Sequence, residues 1–308
     1  MTLTNIQVAG WNVLGGVAQR MNTGNTFFVY SGKGSDSADG SKETPFATLD
    51  KALSACTDSN DDRIYLMAGH AETITGAGGI TIDKAGVSII GLGRYDARPA
   101  FLMDGATTVT CLVTSANCSF ENVVFRAGHK DIVVWGTITA KGFGLYNCAF
   151  EENTGSENWL IGPSVGANDN DADGFEMIGC TWKGETAGSN VVVINNNQKD
   201  IRIVGNTITG DFSASTYAPI YSPDTEVQLN IRVSDNIIHN LHDANAAVGI
   251  AIANTASTGF IVRNLIGHQD SAAETPILAG AAGLFVAENY CSGVLGTASG
   301  YLYPAVDT

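Results

Sequence analysis

A short unit of alternating apolar and polar residues recurs along this chain and constrains its fold more than any other feature. In the copy Ile201–Ile208 apolar and polar residues alternate, a Gly-Asn pair interrupts them, and a β-branched residue closes the unit. Related units occupy residues 118–125, 143–150, 175–182, 231–238, 259–266 and 284–291. Because a single copy cannot bury its own apolar face, it must stack on its neighbours, and the repeat therefore predicts a solenoid.

The spacing of the units is typical of a parallel β-helix. The corner positions follow one another at steps of 25 to 32 residues, and they are Leu92, Val123, Cys148, Cys180, Asn206, Asn236, Asn264 and Asn289. Strand-like segments at 132–135, 191–194 and 248–252 precede several units. Helical repeats would need long segments of period 3.6, which are missing after Gly79. Two or three short strands and their turns in each step describe one coil of a β-helix, so we predict an all-β protein.

Stacked coils place equivalent side chains in columns. One inward column is predicted to contain Phe120, Leu145, Met177, Ile203, Val233, Ile261 and Val286. The corner column changes along the chain from Val123, Cys148 and Cys180 to Asn206, Asn236, Asn264 and Asn289. An inward asparagine can bond both to the backbone and to the asparagine of the next coil. We therefore predict a structural hydrogen-bonded ladder at this corner.

The two ends of a solenoid need covers, because each end exposes unpaired strand backbone. Residues 26–308 are predicted to form one β-helix domain, with a capping helix at about 44–56 and a C-terminal cap at about 292–308. Thr44 is the predicted N-cap of the helix and Pro45 its first residue. Residues 1–25 are poorly periodic and are predicted to form an N-terminal arm, which is either a flexible end or an attachment segment that orders on a partner.

Charge and composition exclude several classes of protein. A net charge of −15 argues against binding to nucleic acid, and it equally disfavours a polyanionic polysaccharide. The chain begins without a basic segment and apolar run, and no window has the apolar length of a membrane span, so we expect neither a signal peptide nor membrane insertion. The six cysteines lack the Cys-x-x-Cys spacing of a metal site and are predicted to be buried free thiols of a protein made in a reducing cytosol.

One loop has the composition of a cation site. Asp169, Asp171 and Asp173 form a D-x-D-x-D-G run, and such clusters of carboxylate oxygens are favoured by calcium. The run fails as an EF-hand loop, because Cys180 occupies the twelfth position, where a glutamate is needed. A solvated turn is the alternative interpretation. No other cofactor is predicted, and Asx turns account for Asp36 and Asp39 in an earlier loop.

Catalytic residues are not predicted. Glu151 and Glu152 are adjacent, so on a strand they point in opposite directions, whereas a glycosidase needs two facing carboxylates. A lyase needs calcium-binding carboxylates near a basic residue, but the loops contain only scattered lysines: Lys130, Lys141, Lys183 and Lys199. Outward charged positions in neighbouring units are predicted to form surface ion pairs: Glu121, Glu176, Asp200, Arg202 and Arg232.

Three further groups of residues have a functional and a structural interpretation. Gly162–Gly166 has the letters of a nucleophile elbow but lies in a turn-rich region without the required helix. His70 and Glu72 follow a strand and are predicted to bond within the fold. His239, His242 and Asp243 could form a metal site or an acid–base pair, and exposed turn residues are the alternative.

The N-terminal third resembles a known family. Residues 28–53, with a strand, a Gly-Ser-Asp loop, Thr-Pro-Phe-Ala-Thr and a helix, resemble the opening of pectate-lyase-like right-handed parallel β-helix proteins. Residues 64–74 and 85–93, followed by Arg98-Pro99, are similar to a group of these proteins encoded by tailed bacteriophages. Motifs carry the resemblance over residues 26–126, and the repeat pattern carries it beyond them.

The resemblance implies a right-handed parallel β-helix and a role as a non-enzymatic structural protein of a virion. The expected protein is a capsid decoration, head fibre or tail component, assembled in the bacterial cytoplasm as a homotrimer. It would contact other virion proteins through its arm or through one end of the β-helix. Two alternatives stay open: a tailspike-like polysaccharide depolymerase, acting as a lyase or hydrolase, and an adhesin that binds a host surface glycan without turnover.

Overall fold

Three parallel sheets wrap around one continuous apolar core. The structure is a computed structural model, and it describes residues 6–8, 11–14, 17–20, 23–152, 156–184, 190–212, 218–241, 248–268, 275–280, 283–292 and 300–302. The chain passes through sheet A, sheet B and sheet C in turn and then begins the next coil. This architecture confirms the predicted all-β parallel β-helix.

The strand bounds show the repetition. Sheet A contains Thr26–Val29, Arg63–Leu66, Ser88–Gly91, Ser119–Glu121, Gly144–Tyr146, Glu176–Ile178, Arg202–Val204, Ile231–Ser234, Gly259–Val262 and Leu284–Ala287. Sheet B contains Ala71–Thr75, Ala100–Asp104, Val124–Ala127, Ala149–Glu152, Thr181–Lys183, Thr207–Gly210, Ile237–Asn240, Leu265–His268, Asn289–Ser292 and Gly300–Leu302. Sheet C contains Ile80–Ile82, Cys111–Val113, Gly136–Ile138, Pro163–Val165, Val192–Ile194, Ile220–Ser222, Val248–Ile252 and Thr275–Ala279. A separate two-stranded sheet pairs Gln198–Lys199 with Gln228–Leu229.

The predicted inward column is confirmed by the strand register. Ile203 pairs with Met177 on one side and with Val233 on the other, and all three side chains are buried. Sheet B adds a column that the sequence analysis did not identify: the rings of Phe101, Phe125, Phe150 and Trp182 lie on successive rungs with centroids 5.4–5.9 Å apart. Each of these aromatic side chains contributes roughly 1.5–3 kcal/mol through burial.

The asparagine ladder is confirmed at the corner between sheets A and B. Asn236 Oδ1 accepts hydrogen bonds from the backbone N–H and from Nδ2 of Asn206, each at 2.9 Å. Asn236 Nδ2 donates to Ile203 O and to Asn264 Oδ1, also at 2.9 Å. Asn264 bonds to Asn289 in the same way. The side chains are thereby fully satisfied although they are buried, which removes the usual penalty for burying an amide.

The residue before each ladder position adopts a left-handed backbone conformation. Gly205 has a φ of 66° and Asp235 a φ of 61°. Glycine, asparagine and aspartate tolerate this region best, which explains why the repeat carries an interruption at this point. The sequence signal of the repeat is therefore a backbone requirement of the corner. Leu92 was predicted as the first corner position, but its side chain is 37% exposed and does not join the column.

A second polar ladder lies at the corner between sheets C and A, and it was not anticipated. Gln198 Oε1 accepts from Ala172 N at 3.0 Å, and Gln228 Oε1 accepts from Gln198 N at 3.2 Å. Ser257 Oγ completes the series by accepting from Gln228 N at 2.9 Å. The residue types differ from coil to coil, so the column has no repeating letter in the sequence.

The capping helix begins later than predicted. Helix α1 spans Leu49–Ala55, and its N-cap is Thr48, whose side chain accepts from Lys51 N at 3.2 Å. The predicted N-cap at Thr44 and first residue at Pro45 are wrong. Asp36 explains the shift, because its carboxylate accepts from Ala47 N, Thr48 N and the Thr48 hydroxyl at 3.0–3.1 Å and holds this segment extended up to Thr48. The helix packs on the first coils through the buried side chains of Leu49, Ala52 and Leu53.

The predicted N-terminal arm contains regular structure. Ile6–Val8, Trp11–Leu14 and Val17–Arg20 form a three-stranded antiparallel sheet. Two residues separate each pair of strands in the sequence, Ala-Gly and Gly-Gly, and such pairs favour tight hairpins between alternating segments. The hairpin signal was present in the sequence, but the sequence analysis did not identify these strands.

The remaining predictions concern the last coil, one strand and the cysteines. Gly300–Leu302 pairs antiparallel with Asn289–Ser292 and covers one edge of the last coil, while 293–299 and 303–308 of the predicted cap lie outside the described residues. The strand predicted at 132–135 is shifted to Gly136–Ile138.

The six cysteines are free and buried, as predicted, and burial raises the pKa of Cys56 to about 12 and of Cys291 to about 11. Among the described residues no helix has the length and apolarity to span a membrane.

Removing one member of the asparagine ladder is expected to destabilise the protein. Asn236→Ala leaves Asn206 N and Ile203 O without these partners in the core, and we expect the free energy of unfolding to fall by about 3 kcal/mol. Urea unfolding followed by circular dichroism measures the change. Thr207→Ala is the control, because Thr207 lies on the neighbouring coil, next to the ladder residue Asn206, and its side chain is exposed. Equal midpoints for the two variants would show that the ladder contributes nothing.

Candidate functional site

The acidic loop predicted to bind calcium is occupied by the protein's own donors. Asp169 Oδ1 accepts from Asn197 N at 3.0 Å, and this bond lowers the pKa of Asp169. Asp171 Oδ2 accepts from Ala167 N and Asn168 N at 3.2 and 2.9 Å, which closes a local turn. The two carboxylates therefore serve different segments of backbone.

Asp173 is the most buried of the three and forms the strongest contacts. Its Oδ1 accepts from Lys199 N at 3.1 Å, and its Oδ2 lies 3.2 Å from Lys141 Nζ and 3.6 Å from Lys199 Nζ. Two of the lysines that seemed scattered in the sequence thus converge on one carboxylate. Within the part of the chain that the structure describes, no group of three or more His, Cys, Asp or Glu side chains is placed to hold a metal ion. Calcium at Asp169, Asp171 and Asp173 stays a prediction.

His70 and Glu72 fasten the capping helix to the first coil. His70 Nδ1 accepts from Ser31 N at 3.0 Å, so its proton is assigned to Nε2, which lies 3.3 Å from Glu72 Oε2. The same Glu72 oxygen accepts from Leu49 N, the first residue of α1, at 3.0 Å. These contacts agree with the predicted structural role of the pair.

The other candidate groups do not form catalytic arrangements in the described residues. Pro163–Val165 is a strand of sheet C, and Ser164 Oγ accepts from Asn195 Nδ2 at 2.9 Å, so the G-x-S-x-G segment is not a nucleophile elbow. His239 lies exposed on a sheet B strand, while His242 and Asp243 lie outside the described residues. Glu151 forms an exposed ion pair with Arg126 at 3.0 Å.

The sequence analysis did not identify His268, which lies on the sheet B strand next to the strand of His239. His268 is in register with Asn240, and its side chain is buried. Burial, with a smaller contribution from His239, lowers the pKa of His268 to about 4. The imidazole is therefore neutral at physiological pH and packs as part of the core.

The predicted surface ion pairs lie on the outward face of sheet A. Arg202 Nη1 lies 2.8 Å from Glu176 Oε1, and Tyr146 donates its hydroxyl proton to Glu176 Oε2 at 2.7 Å. Burial and the nearby carboxylate raise the pKa of Tyr146. Asp200 does not join this group, because its Oδ1 accepts from Asn230 Nδ2 at 2.6 Å. Glu121 is exposed on the rung next to Tyr146.

A groove of about 500 Å³ continues this face toward the C-terminal coils. Its floor is a column of outward side chains on successive rungs: Arg202, Arg232 and Phe260. Asp200 and Asn230 line one side, and Val262 and Arg263 line the other. The strand register places these residues together, although about 60 residues of sequence separate the ends of the groove.

The outward face of sheet B changes from polar to apolar along the helix axis. One column reads Thr181, Thr207, Ile237, Leu265 and Tyr290. Ile237, Leu265 and Tyr290 are 47%, 49% and 46% exposed, so three neighbouring rungs present large apolar side chains to solvent. We call these three residues the apolar column. Contiguous apolar surface of this kind is typical of a protein interaction site.

Calcium is not expected to stabilise the protein, because Asp169, Asp171 and Asp173 each already bind donors of the protein itself. Millimolar calcium should leave the thermal midpoint within about 1 °C of its value in chelator, whereas a bound cation adds about 2.7 kcal/mol at a hundredfold excess over its dissociation constant. Differential scanning calorimetry with calcium or EDTA measures the difference, and magnesium controls for ionic strength. A saturable rise with calcium alone would contradict this expectation and support the predicted cation site.

Comparison with solved structures finds other β-helix proteins at low identity. A rhamnogalacturonan lyase matches with a TM-score of 0.49 and 13% identity over 86% of this chain and 87% of its own. Pectate lyase Pel9A matches with a TM-score of 0.49 and 15% identity over 90% and 82%. A GH136 lacto-N-biosidase from Eubacterium ramulus matches with a TM-score of 0.42 and 10% identity over 88% and 68%. The fold assignment itself rests on the strand pairing of this chain.

At the level of sequence, the chain matches a protein family but no individual curated protein. No curated protein matches the chain. One family profile does match, over residues 32–266, which is most of the β-helix from the first loop to the sheet B strand Leu265–His268. Its description is "Protein of unknown function (DUF1565)". Because the match covers more than half of the sequence, the chain belongs to the DUF1565 family.

Proposed function

We propose that this chain is a non-enzymatic structural component of a bacteriophage virion, a capsid decoration, head fibre or tail protein, and that it works as a homo-oligomer. The apolar column is the observation that carries the proposal. Ile237, Leu265 and Tyr290 occupy rungs about 4.8 Å apart, so they form one straight ridge along the helix axis. The resemblance of residues 26–126 to phage β-helix proteins supports the virion role.

Another copy of the same chain is the partner that fits the apolar column. Each copy carries a net charge of −15, so copies repel one another except where their contact surfaces lack charge. The apolar column is such a surface, because it contains no ionisable side chain apart from the tyrosine hydroxyl. Three β-helices that share an axis could bring their columns together around it, which is the homotrimer implied by the resemblance. Closed symmetry of this kind limits the assembly to a defined number of copies.

In this proposal the protein attaches through its N-terminal arm or through one end of the β-helix. The three-stranded sheet of residues 6–20 precedes the first coil of the β-helix. A small sheet joined to the end of a rigid solenoid can bind a capsid or tail protein while the coils project outward. The binding partner in this proposal is therefore another virion protein rather than nucleic acid or a membrane.

The rival function is a polysaccharide depolymerase. The carboxylate best placed for chemistry on the outward face of sheet A is Glu176, which Tyr146 and Arg202 hold at 2.7 and 2.8 Å. Both carboxylate oxygens of Glu176 are thus already bound by donors of the protein itself, so neither is free to meet a substrate. Release of reducing ends or unsaturated products from host polysaccharide, lost in Glu176→Gln, would favour the enzyme over the structural protein.

A charge placed within the apolar column is expected to dissociate the oligomer. Leu265→Glu buries a carboxylate at the interface between copies, and we expect monomers where the unaltered protein forms trimers. Size-exclusion chromatography with multi-angle light scattering measures the mass. Thr207→Glu is the matched control, because Thr207 occupies the same outward column two rungs earlier. A monomeric unaltered protein, or equal dissociation by both variants, would contradict this use of the column.

The virion assignment has its own test. The protein should appear in mass spectra of purified particles at a copy number that is a multiple of three, and labelled antibody should mark one site on head or tail in electron micrographs. Particles purified through two gradients, with host cytosolic proteins as the contamination control, provide the comparison. Absence from purified particles would overturn the assignment even if the oligomer forms.

A further inference from the structure

We propose that the groove on sheet A binds a sugar ring that carries a single oxyanion, either a carboxylate or a phosphate. The groove is separate from the apolar column, which lies on sheet B. The proposal does not depend on the virion role, since any protein with this face could bind such a ligand. The groove has a volume of about 500 Å³, which lies within the range of about 300–1,000 Å³ that small-molecule sites occupy.

Two arginines face each other on the groove floor. Arg202 and Arg232 are direct partners on neighbouring strands of sheet A, and both side chains are exposed. Like charges placed directly opposite each other destabilise a sheet, so this pairing has a cost that an anion between the two guanidinium groups would offset. Three of the eight arginines in this acidic chain line the groove. The three arginines outnumber Asp200, the one carboxylate among the lining residues, so this lining favours an anion.

The contacts of the three arginines differ, and they single out Arg232. Arg202 is paired with Glu176, and Arg263 binds both oxygens of Asp235, at 2.7 and 2.9 Å, which lowers the pKa of that carboxyl. Arg232 Nε donates to the neutral Ser234 Oγ at 3.0 Å, and its Nη2 lies 3.9 Å from the Asp235 oxygen that Arg263 already binds. Arg232 is thus the least neutralised of the three cations.

An aromatic side chain lies next to the arginine pair. Phe260 is the direct partner of Arg232 on the next rung and is 50% exposed, and Phe285 lies on the rung after it with ring centroids 6.1 Å apart. The face of a pyranose ring is apolar enough to cover such a side chain and remove its surface from water. The rung spacing of about 4.8 Å also suits an oxyanion attached to the ring by one or two bonds.

Polar groups at the side of the groove can bind the hydroxyls of the ring. Asp200 and Asn230 are exposed, and the hydrogen bond between them fixes their positions at the left-handed corner before each strand. An acceptor and a donor on one side, with a cation and an aromatic ring on the floor, form the mixed lining of a specific small-molecule site. The net charge of −15 limits the ligand to one oxyanion in each bound unit, since a polyanion would be repelled by the rest of the surface.

Three monosaccharides that differ at one carbon test the proposal. Glucose, glucuronate and glucose 6-phosphate share the pyranose ring and carry a neutral group, a carboxylate or a phosphate at the sixth position. We expect saturation-transfer NMR on the full chain at low salt to detect the two anions, with glucose at least tenfold weaker. Raising the sodium chloride concentration should weaken both anions, because exposed charge interactions are screened. The stronger of the two anions identifies the preferred oxyanion.

Matched variants locate the site. Arg232→Gln and Phe260→Ala should each weaken binding about tenfold or more, since one removes the cation and the other the ring platform. Arg126→Gln removes the same charge from sheet B, where Arg126 pairs with Glu151 outside the groove, and should leave binding unchanged. Circular dichroism of each variant confirms that the fold is kept, and Arg232→Lys should restore part of the affinity.

The outcomes separate clearly. Equal binding of glucose and the two anions would overturn the role of the arginines. Equal binding of acetate or inorganic phosphate and the charged sugars would overturn the role of Phe260. Equal loss in Arg126→Gln and Arg232→Gln, or no detectable binding of either anion, would overturn the site itself. Each of these results leaves the oligomer and virion tests unaffected.

Discussion

Hydrogen bonding between one coil and the next is the interaction on which the structure depends. In the described coils, the parallel strands of the three sheets pair with strands of the coils before and after them, so the backbone of one coil depends on its neighbours. The corners follow the same rule with side chains, through Asn206, Asn236, Asn264 and Asn289 on one side and Gln198 and Gln228 on another. Each coil is therefore stable only when it is paired with its neighbours, and both ends of the β-helix must be covered. Helix α1 and the strand Gly300–Leu302 perform this task in the described residues.

Because the coils stack, the inward and outward positions of each strand are under different constraints. Inward positions must match the positions above and below them, and they alternate among Phe, Leu, Met, Ile and Val in the column that contains Ile203. Outward positions are under no such constraint, so a column there can change its chemistry from one coil to the next. Sheet B shows the change from Thr207 to Ile237, and sheet A shows it from Arg232 to Phe260. Both proposed binding surfaces arise where an outward column changes in this way.

The same separation explains what could be predicted from the sequence. The β-helix, the column of Ile203 and the asparagine ladder were predictable, because stacking repeats their residue types at a fixed step. The ladder of Gln198, Gln228 and Ser257 was not, since three residue types perform one task there. The helix start was misplaced because Asp36, twelve residues from Thr48, decides it. The groove also escaped prediction: Arg202 and Arg232 were identified as charged outward residues, but only the register shows that Phe260 lies beside them.

The corner residue of the groove shows how the backbone and the binding surface compete. Arg263 has a φ of 55°, a region where glycine, asparagine or aspartate is more stable, and related corners use Gly205 and Asp235. A left-handed conformation costs a residue of this type on the order of 1 kcal/mol. Two charge-assisted bonds to Asp235, on the neighbouring corner, offset this cost. Both oxygens of Asp235 bind Arg263 closely, whereas Arg232 Nη2 lies farther from Asp235, at 3.9 Å, and is less neutralised. Arg263 is thus an unfavourable residue for this backbone conformation, but its bonds to Asp235 stabilise the arginine arrangement from which the anion site is inferred.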